Sequence, residues 1–92
     1  MIRSFRCKYT EALSKGHRVK KFANFAKVAR RKLRQLEIAN RLDDLRVPPG
    51  NQLEALKGDR SGQYSIRIND QWRVCFYWSD GFAEDVEIVD YH

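Results

Sequence analysis

Tyr64–Ile68 (Tyr-Ser-Ile-Arg-Ile), Arg73–Trp78 (Arg-Val-Cys-Phe-Tyr-Trp) and Phe82–Val89 (Phe-Ala-Glu-Asp-Val-Glu-Ile-Val) decide the fold. Each run is rich in β-branched and aromatic residues. Turn signals at Asn69-Asp70 and Asp80-Gly81 separate them, so the segment reads as a three-stranded antiparallel meander. Opposed residues in a hairpin face the same way, which fixes the register. Ile66 and Ile68 share a buried face with Val74, Phe76 and Trp78 if the first loop has an odd number of residues, for example Asn69-Asp70-Gln71. The same logic at the second turn places Val86 and Ile88 in the core. The other face then carries Arg67, Arg73, Cys75, Glu87, Val89 and Tyr91, with His92 at the strand's end. Two arginines and a tyrosine converge there; a one-residue slip would scatter them.

Upstream, Ile2–Cys7 alternates and predicts a short first strand. Thr10 is placed to cap a short helix through Leu13, with Gly16 just past its end. Lys15–Lys21 is a basic connector. A longer helix is predicted from about Asn24 to about Leu42, because Phe25, Val28, Ala29, Leu33 and Leu36 recur at three- and four-residue steps and make one buried stripe. Lys27, Arg30, Arg31, Arg34 and Arg41 lie mostly on the opposite, solvated side. Val47-Pro48-Pro49-Gly50 ends the helical half. Leu53–Leu56 adds a brief extended piece, and Lys57–Gly62 is a polar loop. The expected architecture is α+β: a short N-terminal strand, two helices, then an antiparallel sheet with the helices packed on one face. The opposite face is left as a shallow concave surface.

The whole chain is 92 residues, 42% hydrophobic and 33% charged, which fits a single domain over residues 1–92 with one modest core. No apolar run approaches the roughly 20 residues of a membrane helix, and Met1–Arg6 has no apolar leader, so a soluble cytoplasmic protein is expected. Cys7 and Cys75 then read as reduced thiols packed as small hydrophobes. With only His17 and His92 besides, and no Cys-x-x-Cys, no metal or other cofactor is expected. Charge is uneven: residues 1–50 hold 14 Lys/Arg against 4 Asp/Glu, whereas residues 51–92 hold 4 against 8. The basic half attracts polyanions, nucleic acid or an acidic protein among them.

The usual catalytic machines are missing. There is no phosphate-binding glycine loop, no Gly-x-Ser-x-Gly and no two-metal cluster. One reaction suits what remains, metal-free cleavage of RNA by its own 2′-hydroxyl. That chemistry needs a base, cations for the phosphate and an acid for the leaving 5′-oxygen. Arginines bind phosphate bidentately and stay charged; a histidine exchanges protons near neutral pH; a tyrosine stacks or donates. Plainer roles stand beside these. Arg67 and Arg73 can simply pair with Asp70, Asp85 or Glu87, Tyr91 can pack at a strand edge, and His92 can be a loose last residue. Lys57 and Arg60 can be ordinary loop charges, and Trp72 and Trp78 packing residues. On residue types alone, plain nucleic-acid or protein binding ranks ahead of cleavage.

The ordered series Pro48-Pro49-Gly50-Asn51, Leu53–Arg60, Gly62–Phe76 and the closing Val86–His92 resembles HigB-type toxins of the RelE/ParE superfamily, the toxin halves of bacterial type II toxin–antitoxin modules. Met1–Phe5 and the total length match as well. The resemblance implies a RelE-like fold and an mRNA endonuclease that cuts transcripts being translated in the ribosomal A site. It implies a HigA-type helix-turn-helix antitoxin, with operator DNA reached only through that partner. By carry-over, Lys57, Arg67 and Arg73 hold the scissile phosphate. Asp90, Tyr91 and His92 form a terminal catalytic cluster, with His92 moving the proton, Tyr91 positioning the RNA and Asp90 orienting a neighbour. A site without paired histidines is expected to be slow on free RNA, so orientation by the ribosome supplies much of the catalysis, with the basic half docked on ribosomal RNA. The rivals are a gyrase-inhibiting, ParE-like toxin and a binding module that grips phosphate without cutting.

Overall fold

A computed structural model describes residues 1–91. The three C-terminal runs form β2 (Tyr64–Arg67), β3 (Trp72–Ser79) and β4 (Phe82–Asp90), preceded by a two-residue β1 (Glu54–Ala55). All four strands are antiparallel neighbours in chain order. The first hairpin has the expected register. Ile66 pairs with Val74 and Arg67 with Arg73, and Ile68 N–H donates to the Trp72 carbonyl, leaving the three-residue loop Asn69–Gln71. Asn69 secures that loop by accepting from Gln71 N–H and Trp72 N–H through Oδ1, both at 2.8 Å.

The second hairpin reaches the expected core by another route. Its loop is the even pair Asp80-Gly81, both at positive φ (+51° and +84°), as a tight two-residue turn requires. Left uncorrected, that turn would point Asp85 and Glu87 inward. A bulge between the Cys75 and Tyr77 pairings absorbs one extra residue of β4, where Asp85 takes φ +52°. Ala83, Val86 and Ile88 therefore all reach the core.

The N-terminal stretch is not a regular strand. Ile2 and Phe5 make two isolated parallel bridges to Ala83 and Val86, one on each side of the bulge. Between them, Ser4 Oγ accepts the Asp85 N–H at 2.9 Å. The bulge breaks the ladder and the hydroxyl satisfies the amide it frees.

Helix α1 (Lys8–Ser14) begins before Thr10, so Thr10 does not cap it. Thr10 is instead fully buried, and its Oγ1 accepts Ile88 N–H at 3.0 Å, fastening α1 to β4. Helix α2 (Ala26–Ile38) is shorter than the apolar stripe predicts at both ends. Before it, Lys20–Phe25 forms a 3-10 turn that carries Phe22 and Phe25 onto Trp72, with ring centroids 5.9 and 5.1 Å away. After it, Ala39 turns extended and buries itself. The Asp44 carboxylate then accepts the N–H groups of Asn40 and Arg41 at 2.9 and 3.0 Å and starts a separate turn, Leu42–Arg46. Those two donors hold the Asp44 carboxyl below its ordinary value. No helix among the described residues is long and apolar enough to cross a membrane.

The core lies between the helices and one face of the sheet. It joins Leu13, Phe22, Ala29, Leu33, Leu36 and Leu45 to Ile66, Val74, Phe76, Val86 and Ile88. Trp72 and Trp78 pack against it, as their plainer role anticipates.

Candidate active site

The sheet face away from the helices holds the charged residues, and it is partly covered. Ser65 and Cys75 are fully buried at its centre. The loop from Lys57 to Gln63 folds over them through Arg60, whose Nη1 meets Glu87 Oε1 at 3.0 Å and Gln63 Oε1 at 3.1 Å. Arg60 is thus a structural clasp rather than a loose loop charge, and hydrogen bonding to Glu87 raises its pKa. Burial pushes the Cys75 thiol up to about 11, which makes it inert, and both cysteines are free thiols.

The more open end of this face gathers the accessible Arg67 and Tyr91 beside Arg73, whose side chain is largely covered. Strand register puts Arg67 directly opposite Arg73, and Arg73 opposite Val89. Tyr91 lies two residues further on, half-exposed, with the Arg73 guanidinium 5.9 Å from its ring centroid. The convergence read from strand alternation is therefore present. Arg67 pairs with Asp70, the plainer partner foreseen for it. Arg73 is held more fully. Its Nη1 donates to Ser65 Oγ at 2.9 Å and to the Gln52 carbonyl at 3.3 Å, its Nη2 donates to Gln52 Oε1 at 3.3 Å, and Glu54 lies 3.6 Å away.

Asp90 is exposed and accepts from Gln71 Nε2 at 3.0 Å, while Tyr91 N–H donates to the Gln71 carbonyl. These bonds carry β4 past its last pair and fix the backbone of Tyr91. Lys57 stands apart. It lies two residues beyond Ala55, which pairs with Tyr64, so it sits at the other end of the β1–β2 pair from Arg67. It is exposed and makes no ion pair with a described residue. His92 lies outside the described residues. Among those described, no three His, Cys, Asp or Glu side chains gather as a metal site would require.

Three residues escaped the sequence reading. Lys32 is buried among the apolar positions of α2, its Nζ donating to Asn51 Oδ1 at 2.6 Å. Burial first, then the charges of Arg31 and Arg67, lower its pKa. Asn51 is fully buried and Gln52 is the left-handed residue after it. For Lys32 a signal existed: it stands four residues from both Val28 and Leu36, inside the stripe. Asn51 and Gln52 gave none.

The model of the family described as "RelE-like toxin of type II toxin-antitoxin system HigB" matches residues 3–92. This chain belongs to that family. Among curated relatives of this HigB-like toxin family, Toxin HigB-1 of Vibrio cholerae serotype O1 is 51% identical over 53 residues, 58% of this chain and 56% of that protein. Endoribonuclease HigB of Proteus vulgaris is 42% identical over 41 residues, 45% of each chain. The chain thus spans about half the length of the curated relatives it matches. Among solved structures, the YoeB–YefM complex from Staphylococcus aureus matches with a TM-score of 0.58 at 22% identity, covering 100% of this chain and 98% of that one. That likeness places the chain in the RelE-type toxin fold, as the α+β reading expects.

Proposed function

We propose that residues 1–92 act as one toxin domain, a ribosome-dependent endonuclease that cuts translated mRNA and is neutralised by a HigA-type antitoxin. The observation that carries this reading is the meeting of Arg67, Arg73 and Tyr91 at one end of the clasped sheet face, with Arg67 and Tyr91 accessible and Arg73 held largely covered between its partners. Two arginines directly opposite each other on paired strands put positive charge where the non-bridging oxygens of one phosphate would sit and where charge grows as the reaction proceeds. The 2′-hydroxyl oxygen attacks phosphorus and the P–O5′ bond breaks. A base takes the hydroxyl proton and an acid returns one to the 5′-oxygen, leaving a 2′,3′-cyclic phosphate and a 5′-hydroxyl. His92 is assigned to proton transfer. Tyr91 offers a stacking surface to the flanking base, and Asp90 orients its neighbours. Lys57, at the far end of the strand pair, is suited to a more distant phosphate of the same strand.

The name of the Proteus relative and the partnered state of the Staphylococcus structure support the reading. Support also comes from the exposed cations Lys27, Arg31 and Arg34 on α2, which suit docking on ribosomal RNA. The test is a translation extract with one defined mRNA, comparing wild type with Arg73→Ala and His92→Ala and mapping 5′ ends by primer extension. Cuts inside the reading frame that vanish in both variants are expected. Stalled translation on intact mRNA, equal for all three proteins, would refute the nuclease and point to a gyrase-type or binding-only toxin.

A further inference from the structure

Arg73 owes two of its acceptors to one residue, and that residue is in an unfavourable conformation. Gln52 has φ +46° and ψ +54°, the left-handed region that glycine or asparagine normally occupies. Such a conformation persists only when its surroundings over-determine it. Here the surroundings are the buried Asn51. Its Nδ2 donates to Gln35 Oε1 at 2.8 Å and to the Leu45 carbonyl at 3.0 Å, and its Oδ1 accepts from Lys32 Nζ at 2.6 Å. Backbone bonds from Asn51 N–H to Pro48 O and from Gln52 N–H to Pro49 O close the turn, at 2.9 and 3.1 Å. Lys32 makes no ion pair with a described carboxylate, so burying its charge is not offset by a counter-charge. Two unfavourable features, a buried cation and a left-handed glutamine, thus meet at one loop. What that loop presents to the open face is a carbonyl and an amide oxygen aimed at Arg73.

We propose that Lys32, Asn51 and Gln52 form a positioning chain that fixes the Arg73 guanidinium toward the RNA phosphate. Gln52 touches Arg73, Asn51 sets Gln52, and Lys32 with Gln35 anchors Asn51 to α2. An arginine aimed in advance loses less freedom when phosphate arrives, and small misplacements of such a group are expensive in rate. The proposal rests on the reading of Arg73 as a phosphate-holding residue.

The deciding variant is Gln52→Gly. Glycine adopts the left-handed turn freely, so the chain stays folded and its urea midpoint stays equal or rises, while the amide oxygen is lost. The order of the Arg73 Nε–H vector is read by 15N relaxation, and cleavage is read on ribosomes programmed with one mRNA. The order parameter is expected to fall from the rigid range near ~0.85 to below ~0.6. The cleavage rate is expected to fall about tenfold with KM within about twofold. Lys32→Met, which never touches Arg73, is expected to loosen the same vector. An unchanged Arg73 order parameter in Gln52→Gly overturns the proposal. So does a loosened Arg73 with full cleavage when Arg73→Ala is inactive. If Arg73→Ala itself cleaves normally, the phosphate-holding reading fails first and takes the proposal with it.

Discussion

On the helix side of the sheet, Ile66, Val74, Phe76 and Val86 are fully buried against helices that share their apolar character. On the other side Ser65 and Cys75 are just as buried, yet what covers them is a polar loop fastened by Arg60–Glu87 and by the bonds of Arg73. The first face is closed by non-directional burial, which tolerates any well-packed neighbour. The second is closed by directional contacts that saturate near the sheet's centre and leave Arg67 and Tyr91 accessible at one end, beside the largely covered Arg73. A face held by specific contacts can stop short, and the place where it stops is where a substrate fits.

That contrast breaks most visibly at Phe76. Phe76→Ala removes a fully buried ring and is expected to cost about 3–5 kcal/mol, a large part of the stability of so small a domain. Urea unfolding would show it, while the activity of each folded molecule should change little. Arg67→Ala should do the reverse. Its partner Asp70 has a side chain 99% exposed, so stability should move by less than about 0.5 kcal/mol. Cleavage should fall about 10- to 100-fold on programmed ribosomes. A variant that lost both together would erase the distinction between the faces. Glu87→Gln probes the clasp. Glu87 and Arg60 are 17% and 31% exposed, so weakening the pair should cost about 1 kcal/mol with cleavage nearly intact.

The smallest effect is a slope. The folded chain holds the Lys32 proton less tightly than the unfolded chain, whose lysine titrates near 10.5. Between the lowered folded value and 10.5 the unfolded state binds more protons, so stability climbs with pH and levels off above that window. Lys32→Met should flatten this limb in urea midpoints taken from about pH 7 to 11, around the ordinary lysine pKa. Equal slopes in both proteins would mean that Lys32 is not the group responsible.

What could be read in advance follows the same division. Period-two alternation made Ile66, Val74, Phe76 and Ile88 legible, and through them the side on which Arg67, Arg73 and Tyr91 fall. Strand alternation assigns faces but not coverings, so the fold of Arg60 over Glu87 was invisible. Nothing between Leu36 and Leu42 signals a helix end in sequence, whereas Ala39 leaves the helix to enter the core and Asp44 restarts the chain. Local chemistry offers Thr10 as a cap; its actual bond is to Ile88, 78 positions away. Lys32 is hidden in sequence because a lysine among arginines reads as solvated. Asn51 and Gln52 depend on partners in α2 and β3 that no local pattern announces.

The bulge at Asp85 has a consequence for how this chain tolerates loss of length. Removing Asp85 would leave the β3–β4 pairings on either side of it facing the right way, but Ile2 and Phe5, three residues apart, could no longer bridge Ala83 and Val86 together, because only two positions would then separate those partners. Removing Ile88, three positions later, upsets the β3–β4 pairing itself. Either Tyr91 rotates away from Arg73, or the bulge straightens to restore the count, takes Val86 out of the core and turns Asp85 and Glu87 into it. A deletion scan along β4 should therefore separate two kinds of loss, with Asp85 releasing the N-terminal segment and Ile88 sacrificing one of the sheet's faces.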